Sequence, residues 1–151
     1  MARFVYRMQG ILDLKYKMEN QAKNAFGAAN AALLTEMEKL EALNGRLAAY
    51  EEEGRGLRED VLHPVELKEN QEAIRIMQDL IAAQQVEIQK AREKAELCRA
   101  ALQEAMIERK IQEKLKENAF EVFKQEENKK ESKEIDELTS YTYGQKAVSN
   151  R

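Results

Sequence analysis

The sequence has no tryptophan, one proline, one cysteine and one histidine, and aromatic residues fill only 6% of its 151 positions. So few bulky rings leave a compact globule without its usual core filling. Cys98 has no second cysteine to pair with, which fits a reducing compartment. His63 stands beside Pro64 with no second histidine or cysteine at metal-ligand spacing, so no metal and no other cofactor is expected. Long apolar runs are missing too, the longest being four residues at 31–34 and 80–83. That is far short of a spanning helix or a signal-peptide core, and it predicts a soluble chain not secreted by the general route. Nor is there an excess of one charge: 25 basic and 28 acidic residues are interleaved for a net charge of −3. No field of the whole chain draws nucleic acid to it.

What remains is rich in alanine, leucine, glutamate, lysine, arginine and glutamine, and 35% of the residues are charged. These side chains lose little freedom in a helix, and the apolar positions among them follow heptads. Phe4, Ile11, Met18 and Ala25 recur every seven residues, with Met8, Ala22 and Ala29 between them and Lys15 as an interruption. Near Phe26 the pattern slips by one position and continues as Phe26, Leu33, Leu40 and Leu47, with Glu36 as a misfit. A first helix is expected over about residues 3–53. Gly54-Arg55-Gly56 and Pro64 bound the hairpin turn, placed at 54–63. A second helix is expected over about 64–139, on Leu67, Ile74, Ile81, Ile88, Ala95 and Leu102, with Met77, Ala91, Cys98, Ala105 and Ala119 three residues behind. Arg109 and Lys116 interrupt that series before Phe123.

The fold class predicted is therefore all-α: a single-domain, long antiparallel two-helix coiled-coil hairpin with helix 2 the longer, followed by a flexible tail at 140–151. A turn over 54–63 sets Leu43 opposite Ile74, Leu40 opposite Met77, Ala29 opposite Ile88 and Ala22 opposite Ala95. At about 1.5 Å per residue the helices measure roughly 75 and 110 Å, so helix 2 overhangs from about Leu115.

Enzyme chemistry is not expected. Cys98 falls on a seam position that suits a small apolar side chain. Gly54-Arg55-Gly56 lacks the strand and lysine of a phosphate loop. Carboxylates on an open pair of helices have no pocket to shift their pKa values. Surfaces are more informative. Ile76, Leu80 and Ala83 lie on a flank of the seam formed by Ile74, Met77 and Ile81, where they either meet a partner or pack against Leu34 and Met37. The N-terminal stretch is locally basic through Arg3, Arg7, Lys15, Lys17 and Lys23, and residues 126–138 alternate charge around sparse apolar positions.

The layout resembles the flagellar export protein FliJ family. The N-terminal run from Phe4 to Lys15, with Tyr6, Arg7, Leu12, Asp13 and Leu14, is similar to the family's aromatic, arginine and Leu-Asp-Leu opening. Glu131, Lys133, Glu134, Ile135, Asp136 and Glu137 resemble its Glu-x-Lys-x-Leu/Met-Asp-Glu close. Glu108-Arg109-Lys110 and Lys114-Leu115 are similar to the basic stretch before it. The resemblance implies a coiled-coil stalk, like the central shaft of rotary ATPases, that binds and activates a hexameric flagellar export ATPase. It also implies contact with the cytoplasmic domain of the membrane export gate, and with export chaperones. The gate face would fall on Ala73, Met77, Leu80 and Gln84, joined by Ile76 from the flank. The end entering the ATPase ring would comprise Phe4, Arg7, Met8 and Ile11 with Glu131, Glu134, Asp136 and Glu137. Such a protein is expected in the cytoplasm, peripheral to the export apparatus. A generic coiled-coil scaffold or holdase, or the equivalent stalk of a virulence type III system, is the alternative.

Overall fold

A computed structural model describes residues 2–59 and 61–149. They form two helices packed against each other as an all-α hairpin: α1, Gln9–Glu59, of 51 residues, and α2, Pro64–Ser149, of 86. By contacts the chain divides into two units. Unit 1 joins the chain ends, up to Glu19 and from Ala105 onward, and unit 2 is Asn20–Glu104.

The inward side chains of α1 keep one heptad phase: Leu12, Lys15 and Glu19 in unit 1, then Phe26, Leu33, Leu40 and Leu47 in unit 2. The expected slip near Phe26 is therefore absent. Ile11 and Met18, read as seam positions, are 39% and 41% exposed, whereas Leu12 is 2% exposed. Polar residues hold the places between, so apolarity alone traced the wrong face of the first turns. In α2 the series from Leu67 to Leu102 is the seam, with Met77, Ile88 and Ala95 at 4%, 6% and 6% exposure.

The helix limits differ from those expected. α1 starts at Gln9, not near Arg3, where Gln9 N–H donates to Tyr6 O at 3.2 Å. The residues before it follow Phe4, whose ring packs on Phe120 and Phe123 at 5.2 and 5.3 Å between centroids. α1 also runs through Gly54-Arg55-Gly56 to Glu59. Gly54 is needed there for a close approach: a β-carbon would meet Asn70 Oδ1 at 2.5 Å. Asn70 is 4% exposed and donates from Nδ2 to Tyr50 O at 2.8 Å. The described connection is residues 61–63, and Pro64 takes the first helical position behind His63, whose carbonyl accepts from Leu67 N–H at 2.9 Å. Asp60 lies outside the described residues. α2 passes the expected end near Thr139 and continues through most of the segment expected to be a flexible tail. Thr139 and Thr142 hydroxyls donate back to Ile135 O and Leu138 O at 2.8 and 2.9 Å. Asn150 and Arg151 lie outside the described residues.

A shorter connection moves the register. Glu36 meets Gln84 and Leu40 lines a groove with Ile88 and Gln85, so Leu40 does not sit opposite Met77. The displacement is about one heptad, which restores every seam position to a seam position. Periodicity cannot detect such a shift.

Candidate functional site

The seam of unit 1 is built largely from charge. Arg109, on a seam position of α2, donates to Glu19 Oε2 of α1 at 2.5 Å and to its own neighbour Glu113 at 2.9 Å. Both Arg109 and Glu19 side chains are 18% exposed. The Tyr16 hydroxyl donates to Glu113, and the Arg109 guanidinium lies 5.9 Å over the Tyr16 ring. Lys15 pairs with Glu108 at 3.1 Å, and Lys116 donates to Gln9 Oε1 at 2.7 Å. Bonding to Glu19 raises the Arg109 pKa, and the Tyr16 hydroxyl, ahead of Arg109, holds the Glu113 carboxyl below its ordinary value. The same bond to Glu113 raises Tyr16. Tyr6 Oη and Gln112 Oε1 are buried with no hydrogen-bond partner among the described residues. Beyond the aromatic contact of Phe4, every described α2 side chain from Asn128 to Val148 is exposed. Among them are Ile135 at 62% and Leu138 at 65%.

Unit 2 carries fewer polar seam groups, among them Asn70 and Gln84. Gln84 donates to both the backbone and the carboxylate of Glu36, at 2.8 and 2.6 Å. The five residues expected to form a gate-facing surface divide here. Ile76 and Leu80 are exposed at 44% and 43%, whereas Met77 is 4% exposed, Ala73 is half-buried and Gln84 is engaged with Glu36. Leu34 and Met37, offered as apolar cover for this flank, are themselves 58% and 45% exposed. Of the residues assigned to the ring-facing end, Phe4 is half-buried against α2, while Arg7, Met8 and Ile11 are exposed near the start of α1. Glu131, Glu134, Asp136 and Glu137 are exposed along α2.

With this geometry in place, comparison with known proteins is direct. The sequence profile of the flagellar FliJ protein family matches residues 4–147. The chain belongs to the FliJ family. No curated protein and no solved structure matches it. As a FliJ-family member it is a component of flagellar protein export. No described helix is long and apolar enough to cross a membrane. Sequence reasoning passed over Lys15, Glu36, Arg109 and Lys116 as interruptions. Their signal was complementarity across the pair, basic Arg109 against acidic Glu19 and Lys15 against Glu108, and it becomes readable only in the correct register.

Proposed function

We propose that this FliJ-family chain is the stalk of the flagellar export machine, joining the hexameric export ATPase to the cytoplasmic domain of the export gate. The stretch of α2 from Asn128 to Val148 carries this reading, because its side chains are exposed and a helix surface that is open to solvent is available to a partner. Glu131, Glu134, Asp136 and Glu137 on that stretch, with Arg7, Met8 and Ile11 nearby in unit 1, offer charged and apolar contacts to the ATPase ring. Ile76 and Leu80 supply the gate contact, whereas Met77, Ala73 and Gln84 serve the helix pair behind them. Export chaperones are further partners of the exposed helix surfaces, and the site of action is the cytoplasmic side of the export apparatus. The test is to add the purified chain to the cognate ATPase and follow hexamer formation and hydrolysis. Stimulation of both is expected, and absence of binding and of stimulation refutes the stalk. For the gate, Leu80→Asp is expected to leave helicity and melting unchanged while removing binding. A large loss of helicity would instead make Leu80 part of the core.

A further inference from the structure

The hairpin tip in unit 2 is apolar where turn chemistry does not ask for it. Short connections are ordinarily built from glycine, asparagine, aspartate or serine, which let the chain reverse or bond to its backbone. Here residues 61–65 read Val-Leu-His-Pro-Val. Pro64 and the His63 carbonyl serve the start of α2. Val61, Leu62 and Val65 have no such task, and they are 72%, 64% and 70% exposed. Three large aliphatic side chains within five residues thus keep most of their surface in solvent. Their clustering sets them apart from the single exposed apolar residues of any surface.

The cluster continues along α2. At about 3.6 residues per turn, Val65, Glu69, Ile76, Leu80, Ala83 and Glu87 fall within roughly 60° of one another, and all six are exposed. That arc holds apolar residues and glutamate and no basic residue, and it joins the tip to Ile76 and Leu80. The charge around the tip has the same sign. Residues 51–59 and 61–69 hold six glutamates against Arg55, Arg58 and Lys68, and Arg55 is bound by Glu52 at 2.6 Å. Glu87 pairs with Lys90 at 3.3 Å, whereas Glu59, Glu66 and Glu69 have no ion pair among the described residues. Such an acidic collar is repelled by an anionic bilayer, whose interfacial segments carry lysine and arginine instead. A projecting apolar tip with this collar fits a protein pocket that is apolar within and basic at its rim.

We propose that the tip anchors the gate contact: Val61, Leu62 and Val65 enter an apolar pocket rimmed by lysine or arginine on the cytoplasmic domain of the export gate, and the arc from Glu69 to Leu80 lies along its edge. This rests on the gate reading, and it adds the anchor of the contact and the sign of the partner's charge. The aliphatic tip leaves water on entering the pocket, which gives affinity. Glu66 and Glu69 beside it select the basic rim and steer the approach. Ile76 and Leu80 extend the contact along the side of α2.

Calorimetric titration of the full chain with the purified cytoplasmic domain of the cognate gate is the test. Leu62→Asp, outside both helices, and Val65→Asp are each expected to weaken binding at least tenfold with unchanged helicity. Leu34→Asp, at an exposed position of α1, is expected to leave binding intact. Reversing Glu66 and Glu69 together to lysine should weaken it severalfold, and added salt should weaken binding of the unaltered chain. If the unaltered chain does not bind, the gate reading falls and the proposal with it. If Leu80→Asp removes binding while Leu62→Asp and Val65→Asp do not, the gate reading stands and the tip anchor is overturned. An equal loss with Leu34→Asp also overturns it, and unchanged or tighter binding after the charge reversal overturns the basic rim. Co-sedimentation with phosphatidylserine vesicles is expected to show no binding. Vesicle binding that is lost with Leu62→Asp would make the tip a lipid anchor and overturn the protein pocket.

Discussion

Unit 2 and unit 1 use the same heptad spacing and opposite materials. In unit 2, Leu33, Leu40, Leu43 and Leu47 meet Ile74, Met77, Ile81 and Ile88 along a seam held by apolar burial, which needs no specific partner. In unit 1 the equivalent places hold Lys15, Glu19, Arg109, Gln112 and Lys116. Half-buried charges gain from their partners but lose hydration, so such a seam specifies its pairing more than it tightens it. The difference assigns roles. The apolar unit holds its helices together by burial, and the polar unit, which includes the exposed end of α2, holds them through specific ion pairs.

The largest effect should come from the apolar seam. Ile88→Ala, at 6% exposure, is expected to lower stability by about 2–4 kcal/mol in denaturant unfolding. The corresponding change in unit 1, replacing Glu19 and Arg109 together by leucine, should raise the melting temperature instead, because burial without desolvated charge replaces the pair. A fall would show the ion pair to be the main support of unit 1.

Glycines separate packing from propensity. Gly54→Ala drives a methyl toward Asn70 Oδ1 and strains the bond from Asn70 Nδ2 to Tyr50 O, so a loss of about 1–2 kcal/mol is expected despite better helix propensity. Gly45→Ala meets open space within α1 and should gain about 0.5–1 kcal/mol. Equal signs for the two would mean that the close approach at Gly54 does not constrain the helices.

A smaller effect follows acid. The Glu113 carboxyl is held below its ordinary value, so its contribution is present above an unfolded pKa of about 4.3 and is lost as pH falls through the depressed folded value. Acid titration followed by circular dichroism should therefore show a stability loss below about pH 4 that Glu113→Gln reduces. An identical acid profile for the variant would remove Glu113 from the network.

The hairpin and the apolar seam of α2 from Leu67 to Leu102 were legible because isoleucine, leucine and methionine at heptad positions admit few other arrangements. What periodicity could not supply was register, since a shift of one heptad leaves every seam residue on the seam. The turn was misplaced for a related reason: Gly54 and Gly56 look like punctuation, but Gly54 is selected by Asn70 across the pair, a contact between residues distant in sequence. The first turns of α1 misled because Ile11 and Met18 are apolar on the outside while Lys15 and Glu19 face inward. Apolar periodicity there marks an exposed face. Of the residues assigned to partners, Ile76 and Leu80 remain available, and Met77 and Gln84 are occupied within the hairpin.

Segment-resolved amide hydrogen exchange on the intact chain, at low and high salt, tests most directly whether the two seams differ in kind. The polar seam predicts that residues 9–19 and 105–123 exchange faster than residues 26–50 and 67–98, and that added salt widens the gap by screening the charged pairs. Equal protection in both units, unmoved by salt, would contradict it.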